Sequence, residues 1–231
     1  MSLKFNSPLL AALVLGACAT SANANIIEVF DNISTLSGSG WSLQNLSSPV
    51  GSSGWFQGNA GVFNAQAGAT NAYIAANYTN TGSVGTISNW LITPADTVGD
   101  GGTLSFYTRT VGSAFADRLQ VWLSTSGAST NVADFTTLLL DINPTLAGSG
   151  YPSNWTQYTV NLSGIGAPTS GRLAFRYFVT NGGINGTNSD YIGIDTVSYT
   201  APTAAAVPEP ATLALIGLGL AGMRFRRKPA A

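Results

Sequence analysis

Three runs in this chain alternate apolar and polar side chains with a period of two, and that period decides what the chain can fold into. Leu104, Phe106 and Thr108 share one side of the first run, with Ser105, Tyr107 and Arg109 on the other. Leu119, Val121 and Leu123 alternate in the same way with Gln120, Trp122 and Ser124, and Leu173, Phe175, Tyr177 and Val179 with Arg172, Ala174, Arg176 and Thr180. Successive side chains of a strand point to opposite faces, whereas a helix repeats every 3.6 residues, so each run is predicted to be a strand with one buried face. Further strands are predicted at 26–30, 73–77, 90–93, 135–141, 155–162 and 191–199. No amphipathic helix of ordinary length separates them, and the breaks are rich in Gly, Asn, Ser and Pro. Nine or more short strands joined by such turns predict an all-β fold, a jelly-roll-type β-sandwich of two antiparallel sheets over residues 25–200.

Composition narrows the chemistry. The chain has no histidine, which excludes a Ser-His-Asp triad, a His-Cys dyad and nearly every zinc site. Cys18 is the single cysteine, so no disulfide forms within the chain and thiol catalysis in the sandwich is excluded. Between residues 25 and 206 lie four cations (Arg109, Arg118, Arg172, Arg176) and nine acids, a net charge of −5. A weakly acidic domain has no hold on a phosphate backbone, so no nucleic-acid partner is expected. Paired carboxylates are the remaining catalytic option, and no pair stands out among the nine, so no enzyme activity is expected. The alternative is a glycoside hydrolase that works with two such acids.

Hard cations take oxygen ligands, and the chain is rich in Asp, Asn and Ser. Glu28 and Asp31 near the first strand, with Asp195 on the last, are candidate ligands for a structural Ca²⁺, because terminal strands of a jelly roll often lie side by side. The other reading has Asp31 capping a turn and Asp195 accepting backbone hydrogen bonds. Asp96 and Asp100 in the loop over 96–102 are a second candidate pair for Ca²⁺, and the other reading of that stretch is a hairpin turn. Trp122 alternates out of the apolar face of its strand and is the candidate platform for stacking a sugar ring, while the other tryptophans read as packing residues. Asp117, Arg118 and Arg176 read as solvated or paired surface charges.

Both ends carry addresses rather than chemistry. Lys4, an apolar run over 8–19 and Ala22-Asn23-Ala24 form a secretory signal peptide over 1–24, with cleavage predicted after Ala24. Leu15-Gly16-Ala17-Cys18 approximates a lipobox, in which Cys18 would be acylated instead. Residues 201–206 read as a linker. Pro208, Glu209 and Pro210 then give an extended spacer, because neither proline continues a helix or a central strand. Residues 211–223 carry no charge and predict a short transmembrane helix of about 20 Å, against a hydrocarbon core of about 30 Å. Arg224, Arg226, Arg227 and Lys228 follow, and such a cluster favours the cytoplasmic side.

Spacer, apolar helix and arginine cluster in this order resemble the PEP-CTERM sorting signal of Gram-negative bacteria over residues 207–231. The resemblance implies recognition by an exosortase, transient anchoring in the inner membrane, and delivery to the cell surface or extracellular matrix. It also implies an association with exopolysaccharide and biofilm. The middle of the chain is similar to the cleaved-adhesin type of jelly roll, and within it to the choice-of-anchor J domains. Glu28-Val29-Phe30-Asp31, Gly40-Trp41, Asn89-Trp90-Leu91-Ile92-Thr93-Pro94 and Asp117-Arg118-Leu119-Gln120-Val121-Trp122-Leu123-Ser124-Thr125 carry the similarity, with Tyr191-Ile192-Gly193-Ile194-Asp195 at its end. After Trp41 the chain departs from the adhesin pattern: Asn45, Ser47, Ser48 and Gly51 stand where alternating aspartates and glycines often do. That departure weakens any calcium site built on this loop. The similarity implies a noncatalytic surface module whose partner is an extracellular polysaccharide or a surface protein.

Overall fold

The computed structural model describes residues 25–112 and 114–203. The signal-peptide segment, the sorting tail and the predicted helix at 211–223 lie outside the described residues. Among the described residues, no helix is long and apolar enough to cross a membrane.

The described chain forms thirteen strands and three single-turn 3₁₀ segments. The strands are β1 (Asn25–Glu28), β2 (Ser42–Asn45), β3 (Ser48–Val50), β4 (Phe56–Gln57), β5 (Ile74–Asn77), β6 (Thr81–Ile92) and β7 (Asp96–Val98), followed by β8 (Thr103–Thr110), β9 (Leu119–Ser124), β10 (Thr137–Ile142), β11 (Thr156–Asn161), β12 (Thr169–Gly182) and β13 (Tyr191–Thr200). One sheet runs β11-β8-β13-β5-β4, with β1 continuing beside β13; the other runs β10-β9-β12-β6-β2, with β3 beside β6 and β7 beside β12. Every pairing is antiparallel.

The two orders match position by position. β5 and β6, β8 and β9, β10 and β11, and β12 and β13 are consecutive pairs that split between the sheets and stack in the same sequence across both. That is a jelly roll, and the expected sandwich of two antiparallel sheets is what the chain forms. Its core lies between the sheets: Leu173, Phe175, Tyr177 and Val179 of β12 meet Leu104 and Phe106 of β8 and Ile192, Ile194, Val197 and Tyr199 of β13. Phe106 and Phe175 sit edge to face at 4.9 Å between ring centres.

Several boundaries differ from the expectation. β6 starts at Thr81, nine residues before the predicted strand, through Gly82-Ser83-Val84-Gly85. Glycine here serves a close approach rather than a turn, since a Cβ on Gly85 would collide with the Ser48 carbonyl oxygen of β3. The expected hairpin over Asp96–Gly102 is instead a crossing between sheets: β7 pairs with β12, β8 pairs with β13 and β11, and Asp100 Oδ1 accepts from Ile165 N. Ala201 and Pro202, at the start of the predicted linker, are buried against the sandwich.

Candidate functional site

The outward faces of the two sheets differ, and the difference picks out a candidate site. On the β8-β13-β5 side, Phe63, Tyr73, Tyr191 and Trp155 form an aromatic cluster under the loop between β4 and β5. A Cβ on Gly193 would come within 2.8 Å of Trp155, 2.9 Å of Tyr73 and 3.0 Å of Phe63, so the strand there is closed over by rings. This face is occupied by its own chain.

The other outward face carries a cross-strand row. Gln44 of β2 stands opposite Trp90 of β6, Trp90 opposite Arg176 of β12, Arg176 opposite Gln120 of β9, and Gln120 opposite Asp141 of β10. Five strands thus each place one large polar or aromatic residue in line, as directly opposed residues in antiparallel strands do. The neighbouring row is Ser42, Ile92, Ala174, Trp122 and Leu138. Leu138 is exposed and Trp122 half-buried, whereas Trp90, Ile92 and Ala174 are buried with Phe135 of the loop after β9, and both Val132 and Trp122 pack against them. The open part of the face is therefore the end holding Trp122, Arg176, Phe178, Arg118, Asp141 and Leu138.

Hydrogen bonds lock that end. Arg118 grips Asp141 with two bonds, Nε to Oδ1 at 2.8 Å and Nη2 to Oδ2 at 2.5 Å. Gln120 donates to Asp141 Oδ2 at 3.1 Å and accepts from Trp122 Nε1 at 3.1 Å, which sets the tilt of that indole. Burial would raise the Asp141 carboxyl, but the bonds from Arg118 and Gln120 outweigh it and hold the group below its ordinary value. The Arg176 guanidinium carbon lies 4.0 Å from the centre of the Phe178 ring and 5.0 Å from that of Trp90, with Nε donating to Ser88 Oγ at 3.0 Å. Arg118 shares the Phe178 ring at 5.2 Å.

Trp122 thus stands where its alternation placed it, as an outward ring on a rigid strand. The neighbouring row of Gln44, Trp90, Arg176, Gln120 and Asp141 did not stand out as a site in the sequence; Arg176 and Gln120 do show their outward side by alternation. Of the three charges read as solvated or paired, Arg118 is paired and Arg176 is half-buried among rings. Asp117 is fully buried: it accepts from Thr110 Oγ1 at 2.5 Å, Tyr177 OH at 2.5 Å and Asp190 N at 2.9 Å. Burial pushes its carboxyl up to about 6 despite those bonds. A raised acid beside Asp190 has a catalytic look, but a carboxylate with no exposure reaches no substrate, so Asp117 is a structural anchor.

Glu28, Asp31 and Asp195 do not fit a calcium ion held by all three. Asp195 is fully buried, and its oxygens accept from Gln66 N, Ala67 N, Thr196 N and Thr196 Oγ1, which fills the carboxylate. Glu28 accepts at 2.8 Å from Phe30 N, two residues beyond the end of β1, and Asp31 is exposed. Asn32, not Asp31, caps the following 3₁₀ turn. Among the described residues, no group of three or more Asp, Glu, His or Cys side chains is gathered as a metal ion requires. EDTA is accordingly expected to leave the thermal midpoint unchanged; a fall of more than about 3 °C, on the order of 1 kcal/mol for a domain of this size, would overturn this account of Asp195.

Comparison with known proteins adds the lineage. Residues 50–199 match the family model described as Cleaved Adhesin Domain, and residues 206–228 match the PEP-CTERM protein-sorting motif. No curated protein matches the chain. Among solved structures, the K1 cleaved adhesin domain of Lys-gingipain from Porphyromonas gingivalis W83 is 27% identical, covering 77% of this chain and 98% of that one with a TM-score of 0.54. The K3 domain of the same protein is 22% identical, covering 78% and 99% with a TM-score of 0.53, and shares the fold. Buried core, strand pattern and family match agree, and the chain belongs to the cleaved adhesin domain family, with a PEP-CTERM sorting motif behind the sandwich.

Proposed function

We propose that this chain is an exported surface or extracellular-matrix protein whose sandwich binds polysaccharide, without catalysis, on the open end of the β10-β9-β12-β6-β2 face. The observation that carries this reading is the row Gln44, Trp90, Arg176, Gln120 and Asp141 flanked by Trp122. A sugar presents an apolar ring face edged by hydroxyls, and it is held by a fixed aromatic ring with hydrogen-bonding groups beside it. Trp122, held through Gln120 and Asp141, offers that combination on strands rather than loops, so little side-chain entropy is lost on binding.

Sorting is assigned to the tail. Pro208, Glu209 and Pro210 present the backbone to an exosortase, residues 211–223 engage the inner membrane, and Arg224, Arg226 and Arg227 stay on its cytoplasmic side. Processing would leave the sandwich at the surface or in the matrix, next to exopolysaccharide. The hydrolase alternative needs two carboxylates about 5 to 10 Å apart around a substrate. Among the described residues at the open end of this face, the acid is Asp141, and it is spent on Arg118.

A glycan array and a reducing-sugar release assay on the purified chain test the reading. Binding without release is expected, with Trp122→Ala weakening it by about tenfold or more, the loss of one stacking platform. Release of reducing ends, or unchanged affinity in Trp122→Ala, would remove the proposed role of this face.

A further inference from the structure

The four cations between residues 25 and 206 differ in how their donors are used. Arg118 is satisfied by Asp141. Arg172 donates to the carbonyls of Ala128, Gly40 and Thr93, tying three loops together. Arg109 donates to the carbonyls of Thr110 and Ser153 and lies over the Phe63 ring at 4.3 Å. Arg176 has one hydroxyl, Ser88 Oγ, on Nε; among the described residues its Nη atoms have no hydrogen-bond acceptor and it has no acid partner. This least compensated cation of the domain stands in the middle of the row just described.

We propose that the face takes an acidic polysaccharide, with a uronic-acid carboxylate on the Nη atoms of Arg176 and the adjoining sugar ring on Trp122. The assignment rests on the polysaccharide reading of the same face. A guanidinium presents parallel N–H donors that match both oxygens of a carboxylate. Here the guanidinium is held against Trp90 and Phe178, so its direction is set before a ligand arrives. The rings and the protein shield it from water, and Arg118 adds a second positive charge across Phe178. Burial and the charge of Arg118 lower the Arg176 guanidinium to about 10, still protonated near neutral pH. Shielding of this kind costs a cation part of its hydration and strengthens its attraction to an incoming anion.

Among the described residues, the acid of this row does not supply that anion. Asp141 is engaged through both oxygens by Arg118, and Gln120, which separates it from Arg176 in the row, spends its amide nitrogen on Asp141 and its oxygen on Trp122. Summed over Arg118, Arg176 and Asp141, the open end carries +1, within a domain whose net charge is −5. A face built for a neutral glycan needs rings and amides but not this cation. A uronate also separates from a neutral sugar by one group, the carboxylate, which Arg176 alone on this face is free to read.

The test titrates the full-length chain, in non-ionic detergent, with oligogalacturonate and with its fully methyl-esterified form, at low and high salt. The acid form is expected to bind about tenfold or more tightly than the ester, with the advantage shrinking as salt screens the charge. Arg176→Gln is expected to abolish the advantage, and Trp122→Ala to weaken both forms. Should Arg176→Gln fail to fold, the acid-to-ester ratio and its salt dependence in the parent chain still decide. Equal affinity for acid and ester, or an advantage that survives Arg176→Gln, overturns the carboxylate assignment and leaves the polysaccharide reading standing. Absence of binding to both forms and to every glycan of the array overturns the two together.

Discussion

Replacing Phe175 with alanine is expected to cost the sandwich about 3–5 kcal/mol, the range for emptying a fully buried phenylalanine site. Phe175 is at the centre of β12, with Leu91 and Val121 as its strand partners, and its ring crosses to meet Phe106 of the opposite sheet. It is fully buried, as are Leu91, Val121 and Phe106 around it. Both sheets are rigid at this depth, so the space left by the ring cannot close by small shifts. With a single cysteine in the chain, burial rather than cross-linking holds the sheets together. A single domain has roughly 5–15 kcal/mol to lose, so the variant should approach the threshold of folding. Urea unfolding gives the measurement: the midpoint should drop with the slope unchanged. A loss below about 1 kcal/mol would mean that the contact between β8 and β12 is not where the stability lies.

The strand that holds Phe175 was legible because its two faces have different solvents. Leu173, Phe175, Tyr177 and Val179 are all in the core, and the alternation that predicted this side is the same alternation that turned Arg176 outward. Where both faces are buried or both are polar, the signal vanishes. β2, β3 and β4 have two to four residues each, and the β3 residues are exposed throughout, so no period of two could appear in them. β6 ran unrecognised through Gly82 and Gly85 because a glycine that admits a neighbouring strand looks, in sequence, like one that makes a turn.

The site was legible only in its parts. Trp122 and Arg176 showed their outward side, but the row that joins Gln44 to Asp141 depends on register between strands that the jelly roll interleaves far from chain order. Side-chain spacing within one strand carries no information about which residue of another strand stands opposite. Of the acids, Asp195 accepts backbone hydrogen bonds, as one of its two readings has it, and Asp117 was misread as a surface charge for a related reason. Asp195 is engaged by Gln66 and Ala67, and Asp117 by Thr110, Tyr177 and Asp190, all distant partners apart from Thr110. An aspartate followed by an arginine looks like a surface pair until those partners close over it.

That closure has a consequence that pH will show. Asp117 Oδ1 accepts from Tyr177 OH and Asp190 N, Oδ2 accepts from Thr110 Oγ1, and Asn143 Nδ2 donates to its carbonyl oxygen, so the residue ties β8, β12, the loop before β13 and the loop after β10. Asp190 and the buried Tyr151 are the other titratable groups that act on this cluster, and the nearby acid pushes the same way as burial. The folded carboxyl titrates near 6 against 3.8 for the free group. A raised acid binds its proton more tightly folded than unfolded, so its contribution to stability is fully present below the unfolded value and is lost as pH rises through the folded one. Acidification from about pH 7.5 to about pH 4 should therefore stabilise the domain by about 2 kcal/mol through this group, because a tenfold gain in proton affinity on folding corresponds to roughly 1.4 kcal/mol. Asp195, also raised by burial, adds to the same slope. Asp141, held low by Arg118, opposes it only as pH falls into its own depressed range. Asp117→Asn should flatten the slope to the part owed to Asp195. Asp117→Ala should cost about 3–5 kcal/mol, because Tyr177, Thr110 and Asp190 lose their acceptor in a place water does not reach. Denaturant unfolding of the three proteins at both pH values gives the comparison, and a parent domain that loses stability on acidification to about pH 5 would refute the buried, proton-binding Asp117.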